Sequence, residues 1–159
     1  MHPTSNSLSE NIRAQSIALL NEHLAASIDL HAQLKQAHWN VRGPGFLAVH
    51  ELFDRIAGEV ETMSDTIAER SGGLGGTAEG TVQVSANKTF LPTYPLGIGT
   101  VIAHVDAVSS ALSHFGNSSR KAIGMSAVAG DPATADLFTE VSRLVDQQLW
   151  FVESHKDVA

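Results

Sequence analysis

The chain has 159 residues, a formal net charge of −7 and no cysteine. A chain of this length can bury a hydrophobic core without disulfide bonds, so we expect one domain over residues 1–159 with a short polar tail at about residues 1–7. The absence of cysteine excludes disulfides, zinc–thiolate sites, iron–sulfur clusters and cysteine nucleophiles. Any transition-metal site must therefore use carboxylates and some of the 8 histidines, ligands that suit iron, zinc and manganese.

The N-terminal residues are polar and lack the apolar core of a signal peptide. No uncharged apolar run approaches the ~20 residues of a membrane-spanning helix. We therefore expect a cytoplasmic protein without membrane contact. Its acidic charge favours cations over nucleic acid or anionic lipid as partners.

Apolar side chains recur at helical spacing in four long segments of the chain. The first helix is predicted from about residue 8 to about residue 40, where Ser7-Leu8-Ser9-Glu10 matches a capping box at its start. The second helix is predicted from Gly45 to the Gly72-Gly73 pair. The short turn between them, Gly43-Pro44-Gly45, predicts an antiparallel helical hairpin.

A long connection over about residues 73–97 follows, and its segment Val82 to Asn87 is a candidate short helix. The third helix is predicted from about Ile98 to about Ala127. The fourth begins with Asp131 as N-cap and Pro132 at its first position, and Trp150 is expected in the core. The sequence thus predicts an all-α, ferritin-like four-helix bundle with a long connection between helices 2 and 3.

Ligand-type side chains gather in the first two helices. No glutamate has a histidine three residues later, which argues against the di-iron site of a conventional 24-subunit ferritin, built within one subunit. His38 and His50 lie six residues before and after Pro44, so a hairpin brings them together. Asp54 follows His50 by one helical turn and shares its face.

Asp65 and Glu69 repeat this four-residue spacing further along the second helix. Asp54 and Asp65 are separated by about 16 Å along a helix axis, too far to bind one ion. Antiparallel pairing of the second helix with its copy, centred between Glu59 and Val60, would place residue 54 beside residue 65 of the mate, and 50 beside 69. Two-fold symmetry then predicts two equivalent sites between subunits.

These residues stand in a pattern that closely resembles the Dps mini-ferritins over about residues 12–155. The matching segments are His38-Trp39-Asn40-Val41-Arg42-Gly43, Phe46, Ala48-Val49-His50-Glu51, Asp54, Asp65, Ala68-Glu69-Arg70, Gly75-Gly76, Lys88-Thr89, Tyr94-Pro95-Leu96, Arg120-Lys121-Ala122-Ile123-Gly124 and Leu149-Trp150-Phe151.

The resemblance implies a hollow shell of twelve subunits that oxidises ferrous iron and stores it as a ferric mineral, protecting the cell from oxidative damage. Hydrogen peroxide is the oxidant implied, in preference to dioxygen. The catalytic metal ligands implied are His38, His50 and Asp54 of one subunit with Asp65 and Glu69 of another, and iron is the metal.

Four further residues have roles that the resemblance or their position suggests. Trp39 follows a ligand and is either a packing anchor or a sink for oxidising equivalents. Arg70 is expected to form an ion pair behind Glu69. Glu51 is a candidate for mineral nucleation and Asp136 for the lining of an iron-entry pore.

The basic residues needed for DNA binding are scarce. Arg13 is the only lysine or arginine in the first 34 residues, and Lys156 is the only one near the C-terminus. Phosphate affinity requires several such contacts, so we expect weak or no DNA binding at neutral pH, although nucleoid association stays open. The alternatives are a nucleoid-compacting structural protein with incidental metal binding, and a module that binds zinc or another divalent ion without redox chemistry.

Overall fold

The computed structural model describes residues 1–156 as an all-α bundle. Its elements are α1 (Glu10–Asn40), α2 (Phe46–Gly73), α3 (Val82–Lys88), α4 (Val101–Ala129) and α5 (Pro132–Glu153). The four long helices and the short α3 confirm the predicted fold class. None of the helices in the described part combines the length and apolar character needed to cross a membrane.

Side-chain caps decide where the helices begin. The predicted capping box at Ser7 is wrong, because the hydroxyl of Ser9 accepts the hydrogen bond from the Ile12 amide and α1 begins at Glu10. Likewise α4 begins at Val101 rather than Ile98, because the Thr100 hydroxyl caps its first turn. Asp131 is the N-cap of α5, as predicted.

The core lies between two antiparallel helix pairs, α1 with α2 and α4 with α5. Its largest fully buried side chains include Phe53, Phe115 and Phe138. The prediction that Trp150 belongs to this core is wrong, since that side chain is 63% exposed. The buried stripe of α5 consists of Val141, Val145, Gln148 and Val152, and position 150 points away from it.

The α1–α2 hairpin has a register that polar side-chain contacts define along its length. His38 contacts His50 near the turn, and Lys35 contacts Asp54 one turn below. Gly45 precedes α2 with a φ of +76°, a conformation that glycine adopts without strain. The turn is fixed to the start of α4 because the Arg42 amide donates to the Gly99 carbonyl at 2.8 Å.

Candidate metal centre

Two histidines meet across the hairpin through reciprocal hydrogen bonds. His38 Nδ1 lies 2.8 Å from the carbonyl oxygen of His50, and His50 Nδ1 lies 2.8 Å from the carbonyl oxygen of His38. Their rings stack with centroids 3.7 Å apart and an interplanar angle of 21°. The Phe46 ring, 5.0 Å from the His50 ring, covers the turn side of the pair.

These bonds determine the tautomer of both rings. A carbonyl oxygen can only accept, so each Nδ1 must carry the proton that it donates. In the neutral form of each ring, the lone pair is then on Nε2, which is the form in which histidine binds metals. Hydrogen bonding of the second ring nitrogen to a backbone carbonyl is also how metal-binding histidines are usually oriented.

Asp54 brings a carboxylate to the same end of the hairpin. Its Oδ1 lies 4.0 Å from His38 Nε2 and accepts a hydrogen bond from Lys35 Nζ at 2.5 Å. The pKa of Asp54 is held below its ordinary value, chiefly by the Lys35 hydrogen bond, whereas partial desolvation opposes the shift. The carboxylate is therefore ionised at neutral pH, and Lys35 supplies its positive partner in this structure.

Asp65 and Glu69 lie in the C-terminal half of α2, away from the histidines. Both side chains are exposed, and neither forms a hydrogen bond or an ion pair within residues 1–156. Among those described residues, no three histidine, aspartate or glutamate side chains come close enough to hold one metal ion. The structure thus stacks His38 on His50 and places Asp54 within 4.0 Å of His38, but it does not form a complete ligand set, and Asp65 and Glu69 lie apart from all three.

Arg70 has a different ion-pair partner from the one expected behind Glu69. Its Nη2 donates to Asp131 Oδ1 at 2.8 Å, and its Nε donates to the Thr134 hydroxyl at 3.0 Å. Asp131 is fully buried and also accepts from the Ser16 hydroxyl at 2.8 Å. Arg70 thus joins the end of α2 to the start of α5, and Glu69 has no cationic partner among the residues that the structure describes.

The remaining predicted residues lie on the surface of the subunit. Trp39 is 65% exposed, so it does not pack into the core of its own subunit. Glu51 is exposed beside an open groove with Arg55 and Trp150. Asp136 is exposed on the second turn of α5.

Lys35 is the contact that sequence reasoning missed at this end of the hairpin. In an antiparallel hairpin, contacting positions have a nearly constant sum of residue numbers, and His38 with His50 gives about the same sum as Lys35 with Asp54. That register, available from the position of Pro44, would have placed the lysine opposite the aspartate.

Comparison with known proteins identifies the family. A family model described as a ferritin-like domain matches residues 17–158. The DNA protection during starvation protein of Agrobacterium fabrum is 47% identical over 154 residues, covering 97% of this chain and 95% of that protein. The chain belongs to the Dps family of ferritin-like proteins.

Solved Dps structures agree with this fold over nearly the whole chain. DpsC from Streptomyces coelicolor is 34% identical with a TM-score of 0.92, covering 100% of this chain and 92% of that one. Dps from Microbacterium arborescens in a high iron form is 29% identical with a TM-score of 0.87, covering 95% and 98%. Membership of the Dps family supports iron binding and a role in iron storage and protection.

Proposed function

We propose that this chain is the subunit of a ferroxidase that oxidises ferrous iron with hydrogen peroxide, in preference to dioxygen, at sites between two-fold-related subunits. The ferric product is stored inside a shell of twelve subunits. The observation that carries the proposal is the pair of stacked histidines, His38 and His50, whose Nδ1 protons are committed to backbone carbonyls. Two imidazoles held with free Nε2 atoms beside an ionised carboxylate suit ferrous iron.

Residues of this chain would bind the ferrous ion and stabilise the higher charge of its oxidised form. His38, His50 and Asp54 would offer two imidazole nitrogens and one negative oxygen from one subunit. Asp65 and Glu69 of a second subunit would add two carboxylates, whose negative charge favours the ferric product over the ferrous substrate. Peroxide that receives one electron from each of two ferrous ions gives two waters with two protons and releases no hydroxyl radical.

A feature at the middle of α2 supports close approach of two copies. Gly58 is exposed on the helix surface between Asp54 and Glu61, and a Cβ there would meet nothing within 4 Å. Glycine within a helix costs about 1 kcal/mol relative to alanine, and no contact within the described subunit requires it. A second α2 packed against this face could approach closely because Gly58 has no side chain, and Gly58 lies within two residues of the expected two-fold axis.

Exposed apolar side chains near the histidines support the same interface. Trp39 and Leu47 are 65% and 62% exposed, and Phe46 is 39% exposed. Large apolar side chains clustered on a surface mark contact with another protein. In the proposal Trp39 anchors this interface and can also receive oxidising equivalents, while Glu51 assists mineral nucleation and Asp136 lines an iron-entry pore.

The excess of acidic over basic residues argues against DNA compaction as the function. The chain carries 10 basic against 17 acidic residues, and of the basic residues near the ends Arg13 bonds the Leu74 carbonyl and Lys156 pairs with Asp106. Weak or absent DNA binding at neutral pH is therefore part of the proposal, with a cytoplasmic location. A clear gel shift of DNA by metal-free protein at physiological salt would instead favour the nucleoid-compacting alternative.

Subunit complementation tests the proposed site directly. The variants His38→Ala and Asp65→Ala are each expected to lose peroxide-driven formation of ferric absorbance after anaerobic ferrous loading. When the two variants are co-expressed, dimers containing one of each keep one intact site, so about one quarter of all sites should recover activity.

A double variant, His38→Ala plus Asp65→Ala on the same chain, is the matched control and must not recover. Recovery in the mixture alone would establish a site shared between subunits. Equal oxidation by wild type and the double variant would refute the proposed ligands. Tight zinc binding with no ferrous oxidation in wild type would support the divalent-ion module instead.

A further inference from the structure

A groove between α2 and α5 lies outside the proposed iron site and has a volume of about 180 Å³. Its apolar lining consists of Met63, Leu137, Val141 and Leu144. Its polar lining consists of Glu59, Thr62, Thr66 and Glu140. Successive residues of a helix are about 100° apart, so Glu59 lies to the side of Gly58 and of the proposed two-fold contact. A concave apolar surface with a few polar groups is the usual form of a small-molecule site.

The two glutamates lie at opposite ends of this α2–α5 groove. The two helices run antiparallel, with Glu59 beside Gln148 and the end of α2 beside the start of α5. That register places Glu140 level with about residue 66 of α2, which is about 10 Å along the helix axis from Glu59. A metal ion holds oxygen ligands at about 2–2.6 Å, so one ion cannot bind both carboxylates. A ligand that contacts both must be elongated.

The polar side chains that line the groove are acceptors and not free donors. The Thr62 hydroxyl donates to the Gly58 carbonyl at 3.1 Å, and the Thr66 hydroxyl donates to the Thr62 carbonyl at 3.1 Å. Each hydroxyl oxygen therefore offers a ligand only its lone pairs. An ionised carboxylate is likewise only an acceptor. A ligand of this groove must therefore supply the hydrogen-bond donors.

A buried amide marks the Glu59 end of the groove. Gln148 is fully buried, and its Nε2 donates to Glu59 Oε2 at 2.5 Å. The Oε1 atom of the same amide has no hydrogen-bond partner within residues 1–156. A buried acceptor without a partner costs free energy. A donor group bound to Glu59 would lie next to this acceptor.

The two carboxylates differ in how far neighbouring cations neutralise them. Glu59 Oε1 accepts a hydrogen bond from Arg55 at 3.4 Å, while the Arg55 guanidinium also lies 5.0 Å from the Phe151 ring. Glu140 is exposed and forms no ion pair or hydrogen bond within the described residues. The charge of Glu140 is therefore available to a cation. Glu59 keeps acceptor capacity as well, because a carboxylate has about four lone-pair sites.

We propose that the α2–α5 groove binds a linear aliphatic diamine, an inference that does not depend on the proposed ferroxidase function. One ammonium group contacts Glu59, the other contacts Glu140, and the methylene chain covers the apolar lining. Each ammonium supplies three donors to a groove whose side chains offer acceptors. Burial of the chain removes apolar surface from water. An anionic ligand would be repelled by both glutamates.

A chain-length series of diamines tests this geometry. Assembled, metal-free protein is titrated with linear diaminoalkanes of increasing length by isothermal titration calorimetry at low ionic strength. Affinity should be greatest for the diamine whose two nitrogens span about 10 Å, the distance between the glutamates along the helix axis. A monoamine of the same carbon number should bind about fivefold more weakly, because it forms one exposed ion pair instead of two.

Glu140→Gln identifies the groove as the place of binding. It keeps the side-chain size, should weaken the preferred diamine about fivefold, and should abolish the preference for diamine over monoamine. Glu153→Gln is the matched control, because it removes the same charge from an exposed position of α5 outside the groove, and it should bind like wild type.

Two results would overturn the inference. One is equal diamine affinity in wild type and Glu140→Gln. The other is an affinity that does not depend on the distance between the two nitrogens, since that would mean that amines bind the acidic surface without a defined site. Either result leaves the proposed ferroxidase function intact, because iron oxidation is measured separately.

Discussion

The two ends of α2 are organised in different ways. At the hairpin end, hydrogen bonds within the subunit orient His38 and His50, and Lys35 contacts Asp54. At the opposite end, the carboxylates of Asp65 and Glu69 are exposed and unpaired within the described residues. Next to them, the side chain of Arg70 bonds Asp131 and Thr134 of the α5 start.

This difference follows from the chemistry of the two ligand types. An imidazole binds a cation only through a nitrogen that lacks a proton and points at the ion, so both its tautomer and its orientation must be set. A carboxylate has two equivalent oxygens and several lone pairs, so it tolerates rotation. One end of α2 is therefore preformed, and in the proposed shared site the other end would need only to be delivered by a neighbouring subunit.

The largest effect on iron oxidation is expected from adding a side chain at Gly58, in the middle of α2. This would push the two paired copies of α2 apart and so separate the ligands that each subunit contributes to the proposed site. Gly58→Leu adds a side chain at the proposed two-fold contact in both subunits, and overpacking costs about 1–3 kcal/mol at each position. The variant should dissociate in sedimentation velocity and lose peroxide-driven iron oxidation. The isolated subunit should stay folded, because leucine favours helix more than glycine does.

Gly124→Leu is the matched control, since Gly124 is also exposed within a helix and a Cβ added there would meet nothing within 4 Å. It lies on α4, outside the proposed two-fold contact. A Gly58→Leu protein that assembles and oxidises iron like wild type would mean that α2 does not pack against its copy.

A smaller effect on iron oxidation, although a measurable loss of subunit stability, is expected from removing the buried partner of Arg70 near the carboxylate end. Asp131→Ala leaves Arg70 without its buried partner and removes acceptors for Ser16 and Thr134. Removing one member of a buried pair costs about 3–5 kcal/mol. The free energy of unfolding from urea titration should fall by that amount, with His38 and His50 unaffected in their hydrogen-bonded geometry.

Asp146→Ala is the control, because Asp146 pairs with Arg120 on the surface and such pairs contribute at most about 1 kcal/mol.

The pH dependence of the free energy of unfolding gives a second measurement. Burial would raise the pKa of Asp131, but bonds from Thr134 and Ser16 and the Arg70 charge outweigh it and hold the pKa below its ordinary 3.8. The stabilisation is therefore full above pH 3.8 and is lost as the pH falls below it, a loss that Asp131→Ala should not show.

The smallest effect is expected from changing the cation at the hairpin end. In Lys35→Met, Asp54 loses the ammonium that competes with a metal ion for its Oδ1, and the repulsion between Lys35 and the incoming ion is also removed. Ferrous affinity in an anaerobic titration should rise severalfold. Lys121→Met, on the exposed face of α4, should leave it unchanged, and a weaker affinity in Lys35→Met would show that the lysine supports the site.

Helical periodicity and turn residues were sufficient to predict the four long helices, the short α3 and the meeting of His38 with His50. These signals fail where more than one residue can fill the same local role. Ser7 and Ser9 can both cap a helix, and the choice of Ser9 depends on the fold of the preceding tail. Trp150 resembles a core residue by its apolar surface, but its angular position on α5 turns it outward.

Long-range polar pairs were the least predictable part of the site. Arg70 is adjacent to Glu69 in sequence, yet its guanidinium reaches Asp131, which is 61 residues away. The choice depends on the packing of α5 against α2, which sequence spacing alone does not reveal. The proposed pairing of Asp54 with Asp65 of a second subunit belongs to the same class, and the complementation experiment addresses it.

The reciprocal bonds between His38 and His50 close a loop of only 12 residues. Contacts this local form early in folding, since little chain entropy is lost in bringing the two positions together. The rings therefore lose their rotational freedom when the subunit folds, and a metal ion that arrives later has no side-chain disorder left to remove. If the proposed site is correct, ion capture at this end would be governed by encounter rate and not by slow rearrangement of the protein.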